Sequence, residues 1–139
     1  MSDTQTRRLR PAGETSGSAQ RPPQRLASPM LSFDLLGEQE LLRQEDSYRG
    51  GDRNAKTLVK EPGLSVVLTV MRSGARLQEH KTTGPISIQT LAGHISLRTL
   101  EDVVDLPVGH VVTLLGDIAH SVEAVEESAF LLTIVSAER

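Results

Sequence analysis

An all-β barrel with one N-terminal helix is the architecture that this 139-residue sequence predicts. Three observations predict it. From Lys56 onward apolar and polar residues alternate with the period of two that marks a strand. Turn signals punctuate that region at Glu61-Pro62-Gly63, Ser73-Gly74, Thr83-Gly84-Pro85, Ala92-Gly93, Pro107-Val108-Gly109 and Gly116-Asp117, a rhythm typical of sandwiches and barrels. Helical periodicity is confined to one stretch before residue 50, so the strand–helix alternation of a Rossmann-type nucleotide fold is absent.

The elements follow in order. Residues 1–29 hold four of the seven prolines, many Ser, Gln, Thr and Gly, and no apolar periodicity, which predicts a disordered tail. Residues 30–55 read as helix and linker. In SFDLLGEQELLRQEDSY (32–48), Leu35, Leu36, Leu41 and Leu42 recur at roughly helical spacing, Ser32 or Asp34 can cap the start, and Gly50-Gly51 stop it. Residues 56–139 form the barrel. The strands predicted are 57–60, 64–71, 75–81, 86–91, 94–100, 103–106, 110–115, 120–126 and 129–135. The last, AFLLTIV, is apolar on both faces, which fits a strand covered by the helix or a dimer interface.

Composition removes several functions. There is no Cys, hence no disulfide, thiolate metal site or cysteine nucleophile. The aromatic residues are Phe33, Tyr48 and Phe130 alone, too few for the stacking platforms of single-stranded nucleic-acid binding. Residues 1–29 carry a net charge of +3 and the remainder −6. An acidic body is a poor binder of phosphate backbones, so no nucleic-acid partner is expected. No apolar run approaches the roughly 20 residues that span a bilayer, and the N-terminus lacks the apolar segment of a secretory signal. A cytoplasmic protein without membrane contact is the expectation. The Gly-rich RGGDRN (49–54) lacks the Lys-Ser/Thr ending of a phosphate loop and reads as a linker. Glu123, Glu126 and Glu127 read as a solvated sheet edge. His94 and His110 begin strands and read as rim residues.

The stretch from Gly74 to Ala124 carries the chemistry. Five residues separate Gly74 from His80, Thr82 lies two further on, Ile86 four after that, and six residues precede Gly93. A spacer of 15 residues leads to Gly109. Leu115, Asp117, His120 and Ala124 then follow. These spacings resemble, without insertion, the two motifs of the cupin superfamily, in particular its small single-domain, type-2-like members. The first motif has a glycine, two histidines one residue apart, a glutamate and a glycine. The second has a glycine, a proline, a glycine, a histidine and often an asparagine. Gly74, His80, Gly93, Gly109 and His120 hold their places. Thr82 stands at the second histidine, Ile86 at the glutamate, Leu115 at the proline, Asp117 at the glycine and Ala124 at the asparagine.

The resemblance covers residues 64–135 and implies a jelly-roll-like double-stranded β-helix with a degenerate metal site. His80 and Thr82 are expected to share a strand and point the same way. Ile86 and Ile88 are expected to face the interior. The pocket is then His80, Thr82, Ile86, Ile88 and His120, with His80 and His120 left as metal ligands. A divalent ion (Zn, Ni, Fe or Mn) at low occupancy is the cofactor the resemblance leaves, because a catalytic centre usually takes three or more protein donors. Two functions follow: a non-enzymatic cupin that binds a small molecule or serves a regulatory or stress-related role, and a metal-dependent cupin enzyme of dioxygenase or isomerase type using His80 and His120. The resemblance also implies a homodimer.

Overall fold

The computed structural model describes residues 29–136. The predicted tail, Pro29 apart, lies outside the described residues, as do the last three residues. Among the described residues, two helical segments, α1 (Leu35–Gln44) and α2 (Asp46–Arg49), precede nine strands: β1 (Arg53–Glu61), β2 (Leu64–Met71), β3 (Arg76–His80), β4 (Ile86–Ala92), β5 (His94–Thr99), β6 (Val103–Pro107), β7 (Val111–Leu114), β8 (His120–Ala124) and β9 (Ser128–Val135).

The strands form two antiparallel sheets, β1-β2-β9-β4-β7 and β3-β8-β5-β6. Their inner faces bury one apolar cluster that draws on both. Met71, Ile86, Ile88 and Phe130 come from the first sheet, and Ile95, Leu97, Leu106, Val122 and Ala124 from the second. The alternation read from the sequence is this inside–outside alternation. In β8, His120, Val122 and Ala124 are buried, while Ser121 and Glu123 face outward at intermediate exposure.

The outer face of the first sheet is also covered. Leu42 and Tyr48 pack with Leu58, Val59, Leu68, Val70 and Ala129, and Phe33, Leu35 and Leu131 pack at the margin. This explains why β9 is apolar on both sides. It lies between β2 and β4, with the core on one face and the helical segment on the other. The single helix expected over 32–48 is interrupted. Asp34 caps α1 by accepting from Gly37 N, and Glu45, with ψ 157°, breaks the run before α2 begins. The first barrel strand starts at Arg53, earlier than the expected Thr57, because its outward side chains are polar but buried. Asn54 Nδ2 donates to Leu42 O at 2.9 Å, and Lys56 Nζ donates to Glu38 at 3.1 Å.

A second polar clasp holds the helical segment. The Tyr48 hydroxyl donates to the Glu127 carboxylate, and Arg43 Nε approaches the same carboxylate at 3.4 Å. The Arg72 guanidinium stacks 4.5 Å from the Tyr48 ring centroid. Burial, and then the anionic Glu127, push the Tyr48 phenol up to about 12. Glu127 is therefore an anchor for the helical segment. The expected acidic sheet edge is corrected on the same ground: Glu126 and Glu127 occupy the turn between β8 and β9, both of which are interior strands.

Candidate functional site

The two histidines singled out by spacing come together. His80 ends β3, His120 begins β8, and they are register partners across that strand pair. Their ring centroids lie 4.5 Å apart at 56°. Local backbone geometry makes this possible. Leu77 pairs with Val122, and a bulge before His80 shifts the register. Without it, three residues of alternation would turn His80 to the face opposite Leu77. With the extra residue, His80 faces the same way as buried His120, since directly paired residues share a face. The pair is unequal. His120 is 2% exposed, whereas His80 is exposed.

Each imidazole is oriented by its own strand. His80 Nδ1 lies 3.2 Å from Gln78 O, and His120 Nδ1 lies 3.0 Å from Ile118 O. An Nδ1–H donated to each carbonyl leaves both Nε2 atoms as acceptors. Beside them is a concavity of about 420 Å3 lined by Thr99, Leu100, Glu101, Asp102, Asp117, Ile118 and Ala119. It adjoins the pair, because Ala119 precedes His120 and Thr99 is the register partner of His120 on β5. No motif position pointed to Leu100, Glu101 or Ile118. Leu100 and Glu101 come near the histidines through the pairing of β5 with β8, and Ile118 through its carbonyl beside the His120 ring.

The other predicted pocket residues are placed differently. Thr82 does not share the strand of His80, because β3 ends at His80. Its hydroxyl donates to Gly84 O at 2.9 Å within the β3–β4 loop, and its carbonyl accepts from Asp117 N at 2.7 Å. Ile86 and Ile88 do face the interior, where they are 4% and 2% exposed and packed in the core cluster. His110 is exposed, and His94 is half-buried with Nε2 3.5 Å from Asp105.

Asp117 shows how closely the backbone follows the motif. It stands where the cupin pattern has glycine, and it adopts φ 62°, the only positive φ among the described non-glycine residues. Asp tolerates that region better than most residues but still strains it. Asp117→Ala is expected to lower the unfolding free energy by about 1 kcal/mol. Asp117→Gly is expected to leave it within about 0.5 kcal/mol of wild type, because relief of strain is offset by unfolded-chain entropy. Denaturant midpoints check the pair, and equal losses in both variants would remove the conformational explanation.

The cupin resemblance implies a metal, and the donor set here is small. The histidine pair offers two imidazole nitrogens, one from each ring. The Thr82 hydroxyl is committed to Gly84, and the glutamate position is the buried, apolar Ile86. Among the described residues, no group of three or more His, Asp or Glu side chains converges. Catalytic first-row sites usually take three protein donors, so these residues do not fit a resident catalytic metal.

No family model matches the chain, and no curated protein sequence matches it. Solved structures do. An RmlC-like cupin from Desulfovibrio desulfuricans is 24% identical over 76% of this chain and 96% of that one, with a TM-score of 0.64. A conserved protein of unknown function from Streptococcus pyogenes is 18% identical over 93% of this chain and 100% of that one, also at 0.64. A Cupin 2 conserved barrel domain protein from Leptotrichia buccalis is 26% identical over 62% of this chain and 42% of that one, at 0.59. The two facing sheets, the motif glycines and these likenesses define a cupin barrel. The chain therefore has the fold of a small cupin, with a helical segment packed on the outer face of its first sheet.

Proposed function

We propose that this protein is a non-enzymatic cupin that binds a small molecule at the His80–His120 pair. The observation that carries the reading is the orientation of the two rings. Each Nδ1 is turned to a carbonyl two residues back, so two adjacent Nε2 acceptors face a ligand without a third metal donor beside them. A hydrogen-bonding group on the ligand meets the imidazoles, and its apolar body rests against Leu100 and Ile118 in the adjoining concavity. Ile86 and Ile88 contribute as the packed floor of the barrel rather than as polar contacts.

The second reading, a metal-dependent enzyme, has one observation in its favour. Metal-bound histidines commonly donate their other ring nitrogen to a backbone carbonyl, as both do here. Elemental analysis of purified protein, with Zn2+ and Ni2+ calorimetry on wild type, His80→Ala and His120→Ala, separates the two. Substoichiometric metal and weak binding are expected, because only two protein donors are offered. Stoichiometric, tight metal lost in both variants would establish the enzyme reading instead. Fragment titrations followed on the imidazole resonances should shift both rings in metal-free protein.

A further inference from the structure

A groove of about 560 Å3 lies along the outer side of the β3-β8-β5 sheet, lined in part by Arg76, Gln78, Glu79, Arg98, Leu100 and Ser121. Neither histidine lines it, although Thr99 and Leu100 border both this groove and the concavity beside the histidines. Ser121 follows His120 on β8, and strand alternation turns the two side chains to opposite faces. Three neighbouring strands build it. Arg76 on β3 pairs with Glu123 on β8, and Ser121 on β8 pairs with Arg98 on β5. The bulge in β3 between Leu77 and His80 bends that strand at Gln78 and Glu79, which supplies the concavity.

The charges in the groove select a ligand. Arg76 is partly neutralised by Glu123, 3.4 Å away, in an exposed pair of little strength. Glu79 contributes one carboxylate. Arg98 has no side-chain partner among the described residues. One guanidinium is therefore left uncompensated on a body whose net charge is −6 outside the first 29 residues. Leu100, 90% exposed, forms an apolar lip beside it. Gln78 and Ser121 add neutral hydrogen-bonding groups.

We propose that this groove binds a small amphipathic monocarboxylate, with its carboxylate on Arg98 and Ser121 and its apolar chain along Leu100. A guanidinium offers a planar pair of N–H donors matched to a carboxylate. Glu79 disfavours a ligand with more than one negative charge at the same place.

The test uses decanoate, with decanol, acetate and inorganic phosphate for comparison, followed by amide shifts in 15N-labelled full-length protein. Decanoate is expected to shift the amides of Gln78, Arg98 and Ser121. Arg98→Gln should weaken it about tenfold, the loss of one charge-assisted contact, and Arg76→Gln less. Decanol should bind weakly because it lacks the charge, acetate because it lacks the chain, and phosphate because it lacks the chain and carries excess charge. Decanoate shifts confined to His80 and His120, unchanged affinity in Arg98→Gln, or phosphate binding as tightly as decanoate would each overturn the proposal. Because His120→Ala should leave decanoate affinity within twofold of wild type, failure here is distinguishable from failure of the histidine site.

Discussion

Gly93→Ala is expected to lower the unfolding free energy by about 3–4 kcal/mol, a large share of the stability of an ordinary domain. Two effects add. Gly93 has φ 77° in the tight turn between β4 and β5, where an L side chain costs about 1–2 kcal/mol. An added Cβ would also run into the Glu127 carbonyl oxygen and into Ser128. Neither neighbour can move cheaply. Ser128 is fully buried, its hydroxyl accepts from His94 N at 2.9 Å, and it lies 2.7 Å from Glu126 O. Glu127 receives the Tyr48 hydroxyl that ties down the helical segment. Gly109 is the internal control. Its φ is 89°, but nothing lies within 4 Å of an added Cβ, so Gly109→Ala should show only the conformational part, about 1–2 kcal/mol. Urea unfolding of the two variants measures the difference. If Gly93→Ala costs no more than Gly109→Ala, the close packing of the β4–β5 turn against the β8–β9 turn is not what the structure describes.

The same glycines show what the sequence made legible. Gly74, Gly93 and Gly109 all adopt positive φ, and it was their spacing around His80 and His120 that pointed to a cupin barrel. The strands were legible because one face of each is buried, which writes period two directly into the chain. What stayed hidden depends on partners distant in sequence. The bulge in β3 that turns His80 toward His120 is a property of the β3–β8 register, and a single strand carries no mark of it. The sequence pattern continues that strand through Thr82, yet the Thr82 hydroxyl finds Gly84 O and its carbonyl finds Asp117 N. Those contacts end the strand early. The outer groove is invisible in the sequence for a similar reason. Arg76 and Arg98 are 22 positions apart, and only the interposition of β8 brings them to one surface. The start of β1 is hidden because a buried lysine in an alternating strand reads as a solvent-facing position.

That lysine gives the other large expected effect. Lys56 is 2% exposed, and its ammonium lies 3.1 Å from Glu38, whose side chain is 9% exposed, where α1 covers the outer face of the first sheet. Lys56→Met should destabilise the protein by about 3 kcal/mol or more, because it leaves the Glu38 carboxylate buried without the ammonium that faces it. Glu38→Leu should cost a similar amount by the reverse imbalance. The double variant Glu38→Leu/Lys56→Met should recover most of the loss, since a packed apolar pair avoids desolvating two charges. The double-mutant cycle then isolates a coupling of about 2–3 kcal/mol, measurable by urea unfolding of the four proteins. Surface ion pairs couple by less than about 1 kcal/mol, so a coupling that small would mean that α1 does not seal this face. The placement of the pair supports the larger value. Asn54, two residues before Lys56 on the same face of β1, spends its amide on Leu42 O and Glu45, so β1 meets the helical segment through two buried polar contacts. Apolar packing alone could let α1 slide along the sheet. A buried lysine and a buried asparagine, whose polar atoms must meet partners on the helical segment, fix its position, and with it the path of the chain into β1.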